Sequence, residues 1–209
     1  MAPASDLDDL RAGAPRPLLP RSVESRLGAR HREILDRLEA MFLERGFSAF
    51  TIADLAAGVG CSRRTLYELA PSKDHLVLLV LDRHLHRMGR SALAAIDLRS
   101  PVIDQIRQYM KGGADFTLKA VLYDDLADEP AARRLLDRHF RFSIEVTARL
   151  VTQGVERGEL RSVNPYIVAA VIAGSSIYLV QPETVEDIHL PRTVIVDEML
   201  DVVLPGLLP

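Results

Sequence analysis

The amino-acid sequence predicts an all-α protein, in which a three-helix helix-turn-helix domain near the N-terminus is followed by a larger helical domain. Three observations predict this fold class. Apolar residues recur every three to four positions, no segment alternates apolar and polar residues as a half-buried strand would, and N-cap and glycine signals divide the chain into helix-sized pieces. With 209 residues, of which 48% are hydrophobic, the chain can bury one large core or two modest ones.

Composition excludes several classes of protein. No apolar run reaches the ~20 residues that a membrane helix needs, because Gly174, Ser175 and Ser176 interrupt the longest one, residues 167–180. The N-terminus carries charged residues and prolines where a signal peptide would be apolar. A single cysteine excludes an internal disulfide and a multi-cysteine zinc site. We therefore expect a cytoplasmic protein without a membrane partner.

The chain begins with a segment that has no helical periodicity. Residues 1–24 are rich in proline, alanine and arginine, and this composition predicts a mobile N-terminal arm. We expect the helix-turn-helix domain over residues 25–75 and the larger helical domain over residues 76–209.

The first two helices of the smaller domain follow from apolar spacing and from caps. Apolar residues at i, i+4, i+7 and i+8 predict one buried face on the first helix, and Gly46 suits the cap that ends it. Thr51 and Asp54 form a capping-box pattern that begins the second helix. The apolar residues are Ile34, Leu38, Met41 and Phe42 in the first helix and Ile52, Leu55 and Ala56 in the second.

A glycine turn and a third helix complete the motif. Gly58-Val59-Gly60 predicts the turn, Ser62 predicts the N-cap of the third helix, and Pro71 ends it. This arrangement is typical of a helix-turn-helix, whose second helix enters the major groove of DNA. The sequence therefore predicts a DNA-binding domain with a recognition helix that begins after Ser62.

The start of the recognition helix carries the polar residues that DNA contacts require. Two adjacent arginines stand there, and the arginine fork matches the two acceptors of guanine. Two short hydroxyls and a tyrosine hydroxyl suit phosphate contacts, and a lysine at the start of the fourth helix joins backbone amides in attracting a phosphate. The predicted contact residues are Ser62, Arg63, Arg64, Thr65, Tyr67 and Lys73.

The N-terminal arm has two interpretations beside this motif. It is either an inert tail or a basic arm whose arginines contact phosphate or the minor groove. The arginines concerned are Arg11, Arg16, Arg21 and Arg26.

The larger domain is predicted to be helical throughout. The run LVLLVL, from Leu76 to Leu81, follows a cap at Ser72 and continues through Met88, which favours a helix buried on several sides over a strand. Proline and glycine signals delimit the helices that follow. They are predicted over residues 101–111, 116–126, 130–157, 165–180 and 191–204.

The motifs of residues 30–78 resemble the tetracycline-repressor (TetR) family of bacterial transcriptional regulators. The matching pieces are ILDRLEAMFLERGF, TIADLAAGVGCSRRTLY and PSKDHL. The resemblance implies an all-helical homodimer, with a small N-terminal DNA-binding domain and a larger domain for ligand binding and dimerisation. By alignment of the motif, it places Thr51, Ser62, Thr65, Tyr67 and Lys73 mostly at phosphates, and Arg63 and Arg64 at or near bases.

Two departures from the family pattern stand out. Where the family usually has a polar or aromatic residue and then a bulky aromatic, this chain has Glu68-Leu69-Ala70, so no relative's operator sequence can be borrowed. Cys61 stands where a small aliphatic residue is usual. It is interpreted either as a buried, inert thiol or as a redox sensor.

Two helices near the C-terminus carry apolar stripes that predict a dimer interface, since two DNA half-sites require a two-fold dimer. The alternative is ordinary intrachain core. The predicted interface residues are Val168, Val171, Ser175, Tyr178, Ile195, Met199, Leu200 and Val203. Aromatic and histidine side chains of the larger domain are candidates for a largely apolar ligand pocket, with plain core again the alternative. They are His86, Tyr109, Phe116, Tyr123, His139, Phe140 and Tyr178.

These patterns favour a ligand-responsive transcriptional regulator, a repressor that a small, largely apolar effector releases from double-stranded operator DNA. We expect no catalytic residues, metal site or cofactor. His84 and His86 are two positions apart, so on a helix they diverge and cannot share a metal ion. Gly58-x-Gly60 is not a dinucleotide-binding loop, because no strand precedes it and the third glycine is missing. The alternatives are a helical protein that binds or sequesters a small molecule and has a vestigial DNA-binding domain, and a helical metal enzyme.

Overall fold

The computed structural model describes residues 10–11, 13–19, 24, 27–113, 120–127, 129–179 and 181–209. Within these ranges the regular structure is helical and contains no strand, which confirms the predicted all-α class. No helix in these ranges is long and apolar enough to cross a membrane.

The helices of the described residues are numbered here in chain order. They are α1 (Ala29–Arg45), α2 (Ile52–Val59), α3 (Arg63–Leu69), α4 (Lys73–Ala94), α5 (Val102–Gly112), α6 (Ala120–Ala127), α7 (Pro130–Glu156), α8 (Pro165–Leu179), α9 (Pro182–Ile188) and α10 (Arg192–Val203). A 3₁₀ turn, Leu204–Leu207, follows α10.

The chain forms two compact units. The helix-turn-helix unit contains Arg16–Arg87 and Leu118–Asp137, and the C-terminal unit contains Met1–Pro15, Met88–Thr117 and Arg138–Pro209. The helix-turn-helix unit therefore includes a segment around α6 that is distant in sequence from α1 to α3.

The core of the helix-turn-helix unit lies between amphipathic helices. The inward faces of α1, α2 and α3 bury Leu38, Leu55 and Leu66 almost completely. α1 contacts both α2 and α6, and α2 contacts α3. Gly46 ends α1 as predicted, and its N–H donates to the carbonyl of Phe42. Its φ of 73° and ψ of 179° lie outside the left-handed helical region, so the expected left-handed cap is not the one that forms.

A carboxylate from α6 holds the loop between α1 and α2. Asp125 Oδ2 accepts hydrogen bonds from the backbone N–H groups of Phe47 and Ser48, the latter at 2.9 Å. The Phe47 side chain is buried and meets the Phe42 ring edge-on, with 6.3 Å between the ring centroids. α6 thereby fixes the loop that leads into the helix-turn-helix.

Replacing Asp125 with alanine is expected to lower the free energy of unfolding by ~1–3 kcal/mol, because two backbone N–H groups lose a charged acceptor. Urea denaturation followed by circular dichroism measures the change. The matched control is Asp124→Ala, since Asp124 is an exposed carboxylate on the same helix. Equal losses for the two variants would contradict the role of Asp125.

The N-terminal segment is divided between the two units: residues up to Pro15 belong to the C-terminal unit, and residues from Arg16 on belong to the helix-turn-helix unit. A described residue in each part has a contact within its own unit. Leu10 is fully buried in the core of the C-terminal unit. In the helix-turn-helix unit, the backbone N–H of Leu18 donates to Asp82 Oδ2 at 2.7 Å. Of the arginines considered for a DNA-contacting arm, Arg21 and Arg26 lie outside the described residues.

The C-terminal unit has one large apolar core, to which α5, α7, α8 and α10 contribute. Its larger members include Val102, Ile106, Tyr109, Phe142, Val146, Leu150, Ile172, Val196, Met199 and Leu200. Ion pairs join α5 to α10 at the edge of this core, between Arg107 and Asp201 at 2.6 Å and between Lys111 and Asp197 at 2.8 Å. Glu159 accepts the N–H of Val102 at 2.7 Å and so satisfies a donor at the start of α5.

Candidate nucleic-acid interface

The second helix of the unit begins with the predicted capping box. Thr51 Oγ1 accepts the N–H of Asp54 at 3.2 Å, and Asp54 Oδ2 accepts the N–H and the hydroxyl of Thr51 at 2.8 and 2.6 Å. The hydrogen bonds from the side chain and the backbone of Thr51 lower the pKa of Asp54 below its usual value. The ionised carboxylate is therefore part of the cap.

The pKa shift of Asp54 has a consequence for stability at low pH. Because the folded-state pKa lies below the unfolded value of 3.8, the stabilisation is complete above that value and is lost as the pH falls through the folded pKa. We expect Asp54→Asn to lose less stability than the unchanged protein when the pH falls from about 5 to about 3. Urea denaturation at several pH values measures this, and identical declines would contradict it.

The turn begins at Gly60, two residues later than the sequence suggested. Gly58 lies inside α2, and Gly60 is the left-handed cap, with φ 66° and ψ 45°. The prediction that Gly58 and Val59 belong to the turn is wrong, since α2 extends through Val59. A Cβ at Gly58 would stand 2.6 Å from Cε of Met41. Absence of a side chain there lets Met41 of α1 pack closely against α2.

Arginines from α1 secure the end of α2. Arg30 Nη2 donates to the carbonyl of Gly60 at 2.6 Å, and Arg37 Nη1 donates to the carbonyl of Val59 at 3.5 Å. These donors meet carbonyl groups at the C-terminus of a helix, where positive charge is favourable. Sequence reasoning missed this role, because it considered α1 only for its apolar face.

Cys61 follows the cap and is half-buried. Burial raises the pKa of its thiol, although the charge of Arg30 acts in the opposite direction. Its Sγ contacts the carbonyl oxygen of Ser62 at 3.4 Å. A raised pKa lowers the thiolate fraction at neutral pH, which supports the interpretation as an inert thiol.

The recognition helix α3 is capped and oriented as the sequence predicts. Ser62 Oγ accepts the N–H of Thr65 at 3.1 Å, and Leu66 faces the core with 1% of its surface exposed. Arg63, Arg64 and Tyr67 are exposed. The outward surface of the helix thus presents two guanidinium groups and a phenol to solvent.

The start of α4 adds a second capped N-terminus. Ser72 Oγ accepts the N–H of His75 at 3.2 Å and lies 2.8 Å from His75 Nδ1. Lys73 is half-buried at the first position of the helix. Thr51 and Ser62 are exposed, and Thr65 is half-buried. The seven predicted contact residues therefore lie at helix starts or on the exposed part of α3.

One charged neighbour of these residues was not assigned a role from the sequence. Glu68 Oε1 lies 3.4 Å from Arg64 Nε, and Glu68 Oε2 lies 3.9 Å from Nε2 of His31 on α1. The i, i+4 spacing of Glu68 and Arg64 was visible in the sequence.

The residues predicted for a ligand pocket are placed in different surroundings. Tyr109 is a buried core residue whose hydroxyl donates to Ser143 Oγ at 3.3 Å, and burial raises its pKa. His139 is buried, while Phe140 and His86 are partly buried. Tyr123 lies in α6, and Tyr178 is 63% exposed. Phe116 lies outside the described residues.

The predicted interface residues divide by burial. Ile195, Met199 and Leu200 are buried within the chain's own structure, so they are closed to a partner. Val171 and Tyr178 are exposed, and the half-buried members are Val168, Ser175 and Val203. The other large apolar residues that are exposed on α8 and α10 are Tyr166, Ile167, Ile177, Val194 and Val202.

Comparison with known proteins identifies proteins that are similar over much of the chain. Residues 34–80 match the family model of bacterial regulatory proteins, tetR family. YvaF of Bacillus subtilis (strain 168), named as an uncharacterized HTH-type transcriptional regulator, is 24% identical over 180 residues, which are 84% of this chain and 94% of that protein. KstR2 of Mycobacterium tuberculosis (strain ATCC 25618 / H37Rv), an HTH-type transcriptional repressor, is 25% identical over 147 residues, which are 66% and 73% of the two chains.

Among solved structures, the fold is similar to that of AibR in complex with isovaleryl coenzyme A and operator DNA. The TM-score is 0.62 at 17% identity, with 84% of this chain and 98% of that chain covered. At this identity the similarity concerns the fold.

Proposed function

Because the chain belongs to the TetR family of bacterial regulatory proteins, we propose that it is a ligand-responsive transcriptional repressor that binds double-stranded operator DNA through α3. The observation that carries this function is the pair of exposed arginines at the capped start of α3. We infer that Arg63 and Arg64 read bases and that phosphates are contacted by Thr51, Ser62, Thr65, Tyr67 and Lys73. The protein would act in the cytoplasm and would not be an enzyme.

The division of labour follows the two domains predicted from the sequence. Residues 25–75 would bind DNA, and residues 76–209 would bind the effector and a second copy of the chain. An effector acts through its difference in affinity between two arrangements of the protein, one of which holds the recognition helices at the half-site spacing. α4 begins at the DNA-binding residues and is 22 residues long, so it is suited to transmit the change.

A DNA-binding assay tests the function. Purified protein is titrated onto labelled DNA from its own upstream region and onto a random duplex of equal length, across a salt series. We expect tighter binding to the upstream DNA than to the random duplex. We also expect the logarithm of the association constant to fall linearly with the logarithm of the salt concentration. If the protein binds both duplexes equally and weakly, the next experiment is selection of bound sequences from a random DNA library. Failure to enrich any sequence there would favour a binding protein with a vestigial DNA-binding domain.

We propose a small, largely apolar effector, since apolar side chains form the large core of the C-terminal unit. The test measures release of bound DNA by a panel of apolar compounds. Isovaleryl coenzyme A, whose coenzyme A part is strongly polar, is tested separately from this panel, because AibR was solved with that ligand. A response confined to strongly polar compounds would contradict the proposal.

The proposed homodimer uses an exposed stripe on α8. Ile167, Val171 and Tyr178 are exposed at 62%, 48% and 63%, and they share a helical face with Gly174. A Cβ added to Gly174 would meet nothing within 4 Å of it in the chain itself. Large exposed apolar patches are typical of protein–protein contacts, and small residues allow helices to approach closely.

Replacing Gly174 with arginine is therefore expected to leave the monomer folded and to abolish the dimer. Arginine has a higher helix propensity than glycine, and the site is open within the chain. Sedimentation velocity reports the oligomeric state, and circular dichroism reports the fold. Gly89→Arg is the matched control, because Gly89 is also helical and open. A dimer that persists in Gly174→Arg would refute this interface.

A further inference from the structure

Glu68 is the only acidic residue of α3, and it lies four positions after Arg64. Its Oε1 is 3.4 Å from Arg64 Nε, and its Oε2 is 3.9 Å from His31 Nε2. The Glu68 and Arg64 side chains are 51% and 89% exposed. A carboxylate thus stands on the helix whose two arginines are proposed to meet DNA.

Helix stability does not account for this carboxylate. Exposed ion pairs contribute little to folding, because water screens them and both side chains lose freedom. The order of the pair, with the acid C-terminal to the base, is also the less favourable one at i, i+4 spacing. In addition, a negative charge on this helix repels DNA phosphates and lowers affinity for every sequence.

The contact leaves the base-reading part of Arg64 available. Glu68 engages Nε, and the two terminal amino groups of Arg64 have no other partner in the described part of the chain. Those amino groups can contact O6 and N7 of guanine. An arginine without such a neighbour also binds any phosphate within reach, and phosphate contacts carry no sequence information.

We propose that Glu68 determines selectivity by positioning Arg64. Its carboxylate holds the guanidinium through Nε, keeps the terminal amino groups directed to a base, and opposes phosphate contacts by charge. The inference rests on the proposed DNA-binding function. Glu68 acts through Arg64 and is therefore a positioning residue.

Two substitutions separate charge from hydrogen bonding. Glu68→Gln removes the charge and keeps an acceptor, while Glu68→Ala removes both. We expect both variants to bind random duplex more tightly and with a steeper salt dependence. In Glu68→Ala, the ratio of the affinity for operator to the affinity for random duplex should fall by about fivefold or more, which is the lower end of the discrimination that a bidentate arginine provides. Glu198→Gln is the charge-matched control, because Glu198 is exposed on α10, which belongs to the other compact unit.

The deciding experiment is a double-mutant cycle with Arg64→Ala, read out by selection from a random DNA library. In the Arg64→Ala background, Glu68→Ala should no longer change selectivity, because its effect passes through Arg64. Undiminished selectivity in the single variant Glu68→Ala overturns the inference. A selectivity change that persists without Arg64 also overturns it, since Glu68 would then read a base directly. If the unchanged protein enriches no sequence, the proposed function has failed instead.

Discussion

Replacing both Arg63 and Arg64 with alanine is expected to abolish selective binding to the operator. Each bidentate contact between an arginine and guanine is worth ~1–3 kcal/mol of discrimination, and both side chains are exposed on the recognition helix. Loss of both therefore lowers affinity for the operator by about thirtyfold or more, and affinity for random DNA by much less. Titration of both duplexes at one fixed salt concentration measures the two effects.

A second adjacent arginine pair provides the control. Arg133 and Arg134 are both exposed on α7, in the same compact unit as α3. Replacing both with alanine removes the same amount of positive charge, but neither residue is among the proposed DNA contacts. It should change the binding of either duplex little, since exposed charges beyond a Debye length of ~10 Å are largely screened. Equal losses in the two double variants would reduce the role of Arg63 and Arg64 to net charge.

The single variants refine this prediction. Arg63→Ala should relax the preference at one operator position and Arg64→Ala at another, if each arginine reads its own base. A uniform loss across all positions would instead assign that arginine to a phosphate. Library selection with each single variant distinguishes the two cases.

Local signals predicted the recognition motif, because the interactions that build it are local. The box of Thr51 and Asp54 and the Ser62 cap each act over three residues, so the sequence pattern contains both partners. Gly58 was wrongly assigned to the turn because the residue that requires a glycine there belongs to another helix. Met41 of α1 packs where a side chain of residue 58 would stand. Spacing within one segment cannot reveal such a contact.

Long-range polar contacts escaped the sequence analysis for the same reason. The bond from Phe47 to Asp125 joins residues 78 positions apart, and nothing near either residue indicates the other. α9 was missed despite a proline at its first position, because its seven residues carry no long apolar repeat. The dimer stripes were predicted from periodicity alone, which marks an apolar face and does not say whether the chain's own core covers it.

A cluster of charges between α1 and α4 was also missed, and it lies within the helix-turn-helix unit. Glu39 of α1 is 7% exposed and His84 of α4 is 2% exposed, with 2.9 Å between Oε1 and Nδ1. Glu39 Oε2 lies 3.0 Å from Arg87 Nη1 and 3.5 Å from Arg83 Nη1. One buried carboxylate thus meets three basic side chains of α4.

Further carboxylates complete the cluster around Arg83. Its Nε donates to Glu24 at 2.8 Å, and its Nη1 donates to Asp36 at 2.7 Å. Burial alone would lower the pKa of Arg83, but the hydrogen bonds with Asp36 and Glu24 raise it overall. The guanidinium therefore stays charged and depends on its acidic partners.

Replacing Glu39 with alanine is expected to lower the free energy of unfolding by ~3 kcal/mol, because it leaves buried basic groups without their shared carboxylate. This is a large part of the ~5–15 kcal/mol by which domains are usually stable. Urea denaturation measures the loss. Glu33→Ala is the control on the same helix, since the Glu33 side chain is 45% exposed and pairs with Arg30 and Arg37 at 3.0 and 2.9 Å.

The two variants separate burial from pairing. Both glutamates contact basic side chains within 3.0 Å, so a count of ion pairs predicts similar losses. Burial predicts a loss below ~1 kcal/mol for Glu33→Ala and a several-fold larger one for Glu39→Ala. Glu39→Gln, which keeps an acceptor without the charge, should lie between them. Similar losses for Glu33→Ala and Glu39→Ala would show that the buried cluster adds nothing beyond surface pairing, and would remove it as a link between α1 and α4.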